Sequence, residues 1–380
     1  MKITKIEATP LLIPLKEPYH WAQGVLDTAE IVLVSVHTDE GIVGHGEAMS
    51  AAAAEATRSL LAAMAEIAVG RDPLAINALL ADLRHQLFAA RGNLSGGRFA
   101  ATILAGLDMA LWDIAGKAAG RPVHALLGGA MRDSISYFGF PQGDEPERIA
   151  RDARAWADRG CEVIYVKVGR GDRLDHEIVR QVRAAIGDCR LRLDANEAWD
   201  VLTARRMIRS LGEFGIEFIE QPTRSDSLPA LKSVHDQSAI PIAADQIVYS
   251  PEDVFQICRD SVADLIVLGL HEAGGMTRFL KCAAIAEACG INICLHGLYE
   301  TGITTCATLH AGAVIPNLDD GNQYMNHLLA DDIVQGVDLT LRDGRLALLS
   351  GPGLGFDLDW DAIGRAAERH AARSGARSAA

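Results

Sequence analysis

The sequence predicts an α/β protein in which a closed barrel of strand–helix units follows a smaller N-terminal α+β region, and two observations carry that expectation. Three carboxylates, Asp194, Glu220 and Asp245, each end a short apolar run: LRLD, FIE and PIAAD. They stand 26 and 25 residues apart, and the same step leads back to Lys167, 27 residues before Asp194, and on to His296, 51 residues after Asp245. One strand, one helix and two short loops fill a step of that length, so its recurrence marks an array of βα units. In such a barrel the C-terminal strand ends meet at one mouth. Three carboxylates gathered there repel one another unless a cation lies between them, and an all-oxygen set suits Mg2+.

Composition narrows the class. With 380 residues, 49% of them hydrophobic, the chain can bury one large core and a smaller one. A formal net charge of −14, with no run of basic residues interleaved with aromatics, argues against a nucleic-acid surface and for small-molecule partners. The opening MKITKIEATPLLIPL lacks the apolar core and cleavage site of a secretory leader, and no stretch reads as a membrane span, so a cytoplasmic homo-oligomer is expected. Seven scattered cysteines without CxxC spacing read as reduced core thiols.

In chain order, residues 1–48 alternate as three antiparallel strands, with DEG (39–41) turning between the last two. The segment EPYHWAQGVLDT between the first two reads as a loop, and it places Tyr19, His20 and Trp21 as candidates to cover a substrate. Helical spacing takes over from Ala51 to Ala119, where Ile103, Leu107, Ala110, Leu111 and Ile114 share one face. PVHALLGG closes a first domain at residues 1–129. Barrel strands follow at SISYFGF, EVIYVKV, RLRLDA, EFIEQ, IPIAAD, ADLIVLGL and INICLHG, with an eighth placed near Asn322–Met325, so the barrel spans 130–328. The remainder, 329–380, holds a hairpin around Asp343-Gly344 and a GPGLGFDLD segment; being surplus to a barrel, it is expected to return to the first domain.

The series Lys167, Asp194, Glu220, Asp245, with LDMALWDIAGKAAGRPVHALLGG and the terminal GPGLGFDLD, resembles the enolase superfamily in its mandelate racemase and muconate-lactonising branch. The resemblance implies a modified TIM barrel, (β/α)7β, under a capping domain formed from both chain ends. It also implies Mg2+ held by Asp194, Glu220 and Asp245, and removal of the proton next to a substrate carboxylate with a metal-stabilised enediolate. Such a proton is weakly acidic because its loss puts a second charge on the carboxylate group, which a cation offsets as a Lewis acid. Lys167, one βα step before the first ligand, is the expected base, made neutral by the nearby cation and restricted solvation. His296 is either a core histidine or, as in racemase-like members, a catalytic group at the end of the seventh strand.

Departures from the family pattern shape the functional expectation. Tyr165 stands where a first lysine of a Lys-x-Lys pair is usual, and Gly269 stands where either an aspartate partner for the histidine or a second lysine belongs. Tyr165, Asn196, Glu300, Gln323, His20 and Trp21 are the candidate substrate contacts, and His45 is assigned to packing. A histidine without a carboxylate partner suits a general acid better than a base, unless His271 or Glu300 from an adjoining loop supplies one. The expectation is therefore a lyase that dehydrates a hydroxy acid or sugar acid. A racemase, epimerase or muconate-type cycloisomerase is the alternative, and a non-catalytic binding protein on the same fold is a third.

Overall fold

A computed structural model describes residues 1–50, 53–91 and 97–378. The chain opens with an antiparallel sheet in the order β1 (Ile3–Trp21), β2 (Gly24–Thr38), β3 (Val43–Met49). The segment expected to loop between the first two strands instead extends the hairpin. After an irregularity between Pro14 and Tyr19, His20 pairs with Val25 and Trp21 with Gly24, so only two residues turn at its tip. Helices α1 (Ala54–Ala68), α2 (Ile76–Leu87) and α3 (Gly97–Ala119) cover this sheet. Leu61, Met64, Leu79, Leu83, Ile103, Leu107, Leu111 and Ile114 bury against Val32, Val34 and Val36, a second core that stabilises the cap as a unit. β3 lies directly on α3, which requires Gly46: a Cβ there would come 1.9 Å from the Gly106 carbonyl oxygen. Contrary to expectation, α3 is long and apolar enough to cross a membrane, but it is mostly buried as the spine of the cap.

After α4 (Val123–Leu126) and β4 (Ser134–Ser136), strands and helices alternate. They are α5 (Pro146–Asp158), β5 (Val163–Lys167), α6 (Asp172–Ile186), β6 (Arg190–Asp194), α7 (Val201–Leu211) and β7 (Ile216–Glu220). The series continues with α8 (Leu228–His235), β8 (Ile242–Ala244), α9 (Pro251–Asp260), β9 (Leu265–Leu268), α10 (Leu270–Ala273), α11 (Met276–Ala288), β10 (Asn292–Leu295) and α12 (Gly302–Val314). β5 to β10 form one parallel sheet in sequence order. Helix starts are fixed by side-chain caps from Asp200, Ser227, Ser250 and Thr301, which satisfy otherwise unpaired backbone N–H groups.

Two irregular stretches close the barrel. Gly139 bridges to Ile164 on one side and Tyr137 to Asn322 on the other, while Leu318 bridges to Ile293. The eighth position is thus occupied by an extended segment at 317–323 rather than by a strand at Asn322–Met325; Asn322 N donates to Ser136 O at 3.1 Å and Gln323 N to Leu295 O at 3.0 Å.

The tail, with β11 (Val334–Gln335), β12 (Arg345–Ala347), β13 (Asp357–Leu358) and α13 (Trp360–Ser378), divides. The hairpin does not go to the cap: β12 pairs with β4, the first barrel strand. The return begins at Gly353, whose carbonyl accepts from Val123 N at 3.0 Å. α13 then packs on β1, with Arg373 Nη1 donating to Thr28 Oγ1 at 2.9 Å. His45 is half-buried between Ser35 and Trp360.

Candidate active site

Strand alternation sends residues 190, 192 and 194 of β6 to one face, and the ends of β5 to β8 bring Lys167, Asp194, Glu220 and Asp245 to the mouth together. All four are buried. Asp194 is fully engaged: Oδ2 accepts from the Tyr165 phenol at 2.7 Å and from Lys167 Nζ at 2.5 Å, and Oδ1 accepts from Asn196 N at 2.7 Å. Tyr165, a candidate substrate contact, holds this carboxylate, and its ring stacks on Phe138 with centroids 4.3 Å apart. Burial pulls the Lys167 ammonium down, but Asp194 and Glu220 outweigh it and its pKa ends above the ordinary value. The neutral amine expected from the sequence is therefore not what the protein's own charges favour.

Glu220 and Asp245 differ from Asp194. Both oxygens of Glu220 and Oδ2 of Asp245 are buried without a hydrogen-bond partner. Burial and the neighbouring Asp194 charge drive both pKa values well above the carboxylate range. Unpartnered buried carboxylates are costly, and a divalent cation is the group that would satisfy them. Glu220, Asp245 and His296 present ligand atoms within 4.8 Å of one another, with Asp194 beside them. Asp194, Glu220 and Asp245 supply only carboxylate oxygens, a donor set that fits a hard, oxygen-preferring cation. Gln221, unforeseen from the sequence, steadies this edge: its Oε1 accepts from Asp245 N at 3.0 Å.

His296 has the partner that the strand-end pattern at Gly269 denies it. Its Nδ1 lies 2.9 Å from Glu272 Oε1 and 3.6 Å from Asp245 Oδ1. Burial lowers the imidazole pKa, but Glu272 overcomes this and raises it, while burial raises Glu272 and His296 overcomes that to lower it. Each partner thus favours the charged form of the other in a buried setting. Neither His271 nor Glu300 takes this role; His271 Nε2 meets Thr304 Oγ1 at 3.1 Å. The chain leaves β9 through Gly269 into the one-turn helix α10, which swings residue 272, not 269, back to the mouth. The available signal is that Glu272 is the only acid in LIVLGLHEAGGM.

The remaining candidates scatter. Gln323 Oε1 accepts from Gly297 N at 3.0 Å and so holds the backbone beside His296. Glu300 is buried with Oε2 unpartnered, and burial followed by the Glu47 charge keeps its pKa high. Asn196 sits in the left-handed region (φ 42°), its Oδ1 unpartnered and its carbonyl accepting from Gln23 Nε2 at 3.3 Å. That bond lays the tip of the β1–β2 hairpin over the Lys167 side of the mouth. Tyr19 is buried there against Phe140 and Tyr299, whereas His20 and Trp21 are half-buried at the tip.

Comparison with known proteins agrees with this architecture. Residues 4–128 match the mandelate racemase / muconate lactonizing enzyme N-terminal domain, and residues 148–362 match the enolase C-terminal domain-like family. L-Ala-D/L-Glu epimerase of Bacillus subtilis (strain 168) is 32% identical over 94% of this chain and 97% of its own. Muconate cycloisomerase 1 of Rhodococcus opacus is 30% identical over 96% and 98%. The dipeptide epimerase of Cytophaga hutchinsonii, solved with Mg and the dipeptide D-Ala-L-Val, superposes with a TM-score of 0.88 at 27% identity, covering 96% of this chain and 98% of that one. Fold, site and similarity converge: the chain belongs to the enolase superfamily, in its mandelate racemase / muconate lactonizing enzyme branch.

Proposed function

We propose that this chain is an isomerase that inverts a carbon next to a carboxylate by two-base proton transfer, with Lys167 serving one face and the His296–Glu272 pair the other. The observation that carries the reading is the 2.9 Å contact between His296 Nδ1 and Glu272 Oε1. A carboxylate on Nδ1 fixes the ring and stabilises the imidazolium, leaving Nε2 to give or take a proton. The dehydration expected from the sequence assumes an unpartnered histidine, and Glu272 removes that premise. The epimerases among the relatives favour the same alternative, and their names direct attention to dipeptides as substrates.

Lys167 ends β5 and His296 follows β10, the two edges of the parallel sheet, and so they flank the carboxylates at the ends of β6, β7 and β8. Each direction needs one of the two groups unprotonated: with Lys167 as the free amine it takes the α-proton while the His296 imidazolium delivers one to the opposite face, and with Lys167 as the ammonium and His296 neutral the roles exchange. Mg2+ held by Asp194, Glu220 and Asp245 would offset the charge that proton removal builds on the substrate carboxylate. The hairpin tip over Asn196 and the buried Tyr19 exclude water from the Lys167 side. Tyr165 and Asn196 hold Asp194 in place from below and beside it.

The test is proton exchange in D2O with Mg2+ and a dipeptide panel. The wild type should exchange the α-proton of both epimers, Lys167→Ala should lose exchange from one, and His296→Asn from the other. Cycloisomerisation, favoured by the similarity to the Rhodococcus enzyme, needs no second base; exchange from a single epimer in the wild type would overturn the two-base reading, and turnover of muconate to its lactone would support this one.

A further inference from the structure

The mouth has two rims. The hairpin tip covers the Lys167 side; the other rim is reached by the first turn of α3, where Arg98 leaves the cap and lies over the barrel. Its guanidinium stacks on the Tyr249 ring, 4.6 Å from the centroid, and its Nη1 is 3.5 Å from Ser225 Oγ. Ser225 lies five residues past Glu220, and Tyr249 four residues past Asp245, so the cation rests on the loops that leave two of the metal-site strands. Those loops are themselves braced: Ser225 N donates to Glu197 Oε1 at 2.5 Å, and Tyr249 N to Asp253 Oδ2 at 3.0 Å. Tyr249 is in turn close enough to Glu272 and Asp245 that, after burial, their charges raise its phenol pKa. One turn along α3, Ala101 packs against Gly274, which anchors the helix end at this position.

Arg98 is exposed, yet among the described residues it forms no ion pair, in a chain of net charge −14. A clip between cap and barrel would not require a charge. An exposed planar fork that rests on two of the strand-end loops and has no carboxylate partner among the described residues matches a ligand that brings one. We infer that Arg98 binds a second anionic group of the substrate, so that the chain acts on molecules carrying one carboxylate at the reacting carbon and another at the far end. The inference takes the first carboxylate from the isomerase reading above; the second rests on Arg98 alone.

Matched probes test it: L-Ala-L-Glu, with two carboxylates, against L-Ala-L-Gln, with one, on the full chain with Mg2+, by calorimetric binding and by kcat/KM. The wild type should prefer the acidic dipeptide. Arg98→Gln should weaken the acidic dipeptide by about 10- to 100-fold, as expected for a hydrogen bond to a charged group, and leave the amide dipeptide unchanged. Arg98→Lys should recover part of the loss. No preference in the wild type, or equal loss for both probes, overturns the inference. Binding preference without α-proton exchange would sink only the isomerase reading, and exchange without preference only this one.

Discussion

Glu272 occupies the space that a side chain at Gly269 would need: a Cβ built on Gly269 would lie 2.5 Å from Glu272 Oε2 and 2.7 Å from the His296 carbonyl oxygen. The backbone at Gly269 is extended (φ −103°), so room rather than conformation is what the glycine supplies. The absence of a side chain on the strand end and the presence of an acid three residues later are therefore one feature.

Gly269→Ala should push the Glu272 carboxylate off the His296 ring. The half-reaction served by His296 should then fall about 100-fold, the usual cost of displacing a catalytic group by about an ångström. The Lys167 half should be nearly unchanged. Glu272→Gln should give a similar one-sided loss without the steric change. Measuring α-proton exchange from each epimer separately checks both; equal losses on the two sides would show that the substitutions act on the fold instead.

What the sequence can reveal follows from how each residue is placed. Lys167, Asp194, Glu220 and Asp245 can be placed at the mouth from the sequence because the first three end a regular strand and Asp245 directly follows one, where periodicity and position coincide. His296 is legible for the same reason. Glu272 is not, because α10 is a single turn whose direction is set by tertiary packing rather than by any repeat. The closing segment 317–323 also escapes, since it bonds through isolated bridges and carries no alternating pattern. Tyr165 and Gln323 both reach the site, and the partners they find there, Asp194 and Gly297, are not ones the sequence names. Proximity to the mouth can be read from register, but hydrogen-bond partners cannot.

Arg192 lies beneath the carboxylates on the same face of β6 and is almost wholly buried. Its guanidinium meets Glu217 Oε2 at 2.6 Å, Asp319 Oδ2 at 2.7 Å and the Gly321 carbonyl at 2.6 Å, joining β6, β7 and the closing segment. Removing one member of such a network strands the others. Arg192→Met should cost about 3–5 kcal/mol, read from denaturant midpoints at constant m-value. A change within about 0.5 kcal/mol, the range of an ordinary surface substitution, would show that the network contributes little.

The unpartnered oxygens of Glu220 and Asp245 give the proposed metal site a stability signature. Mg2+ at about 100 times its Kd should add about 2.7 kcal/mol by binding the folded state only, and chelation should remove it. Glu220→Gln should abolish that increment and yet make the metal-free protein more stable near neutral pH, because folding no longer has to force a proton onto a carboxyl that is ionised in the unfolded chain. Thermal melts of both proteins with and without Mg2+ decide it; an undiminished Mg2+ increment in the variant would place the cation elsewhere.

Glu47 gives the cap a pH-dependent hold on the barrel. It is fully buried on β3, and its carboxylate accepts from Thr301 N at 3.1 Å, Thr301 Oγ1 at 2.6 Å and Thr304 Oγ1 at 3.1 Å, at the start of α12. Burial pushes its pKa up to about 7 from 4.5, although the threonine hydrogen bonds oppose the change. A carboxyl whose folded pKa exceeds its unfolded value binds its proton more tightly in the fold, so its contribution is largest below pH 4.5 and is lost as the pH rises through 7. The difference between the folded and unfolded values corresponds to a loss on the order of 3 kcal/mol. Asp108, buried on α3 against Thr277 and likewise pushed up to about 7, should add a slope of the same sign. Unfolding free energy should therefore fall between about pH 5 and 8 in the wild type and fall less steeply in Glu47→Gln, which keeps an acceptor for the threonines but cannot ionise. Denaturant titrations at intervals of about one pH unit across that window measure the difference in slope, and parallel curves for the two proteins would show that Glu47 does not change its proton across this range.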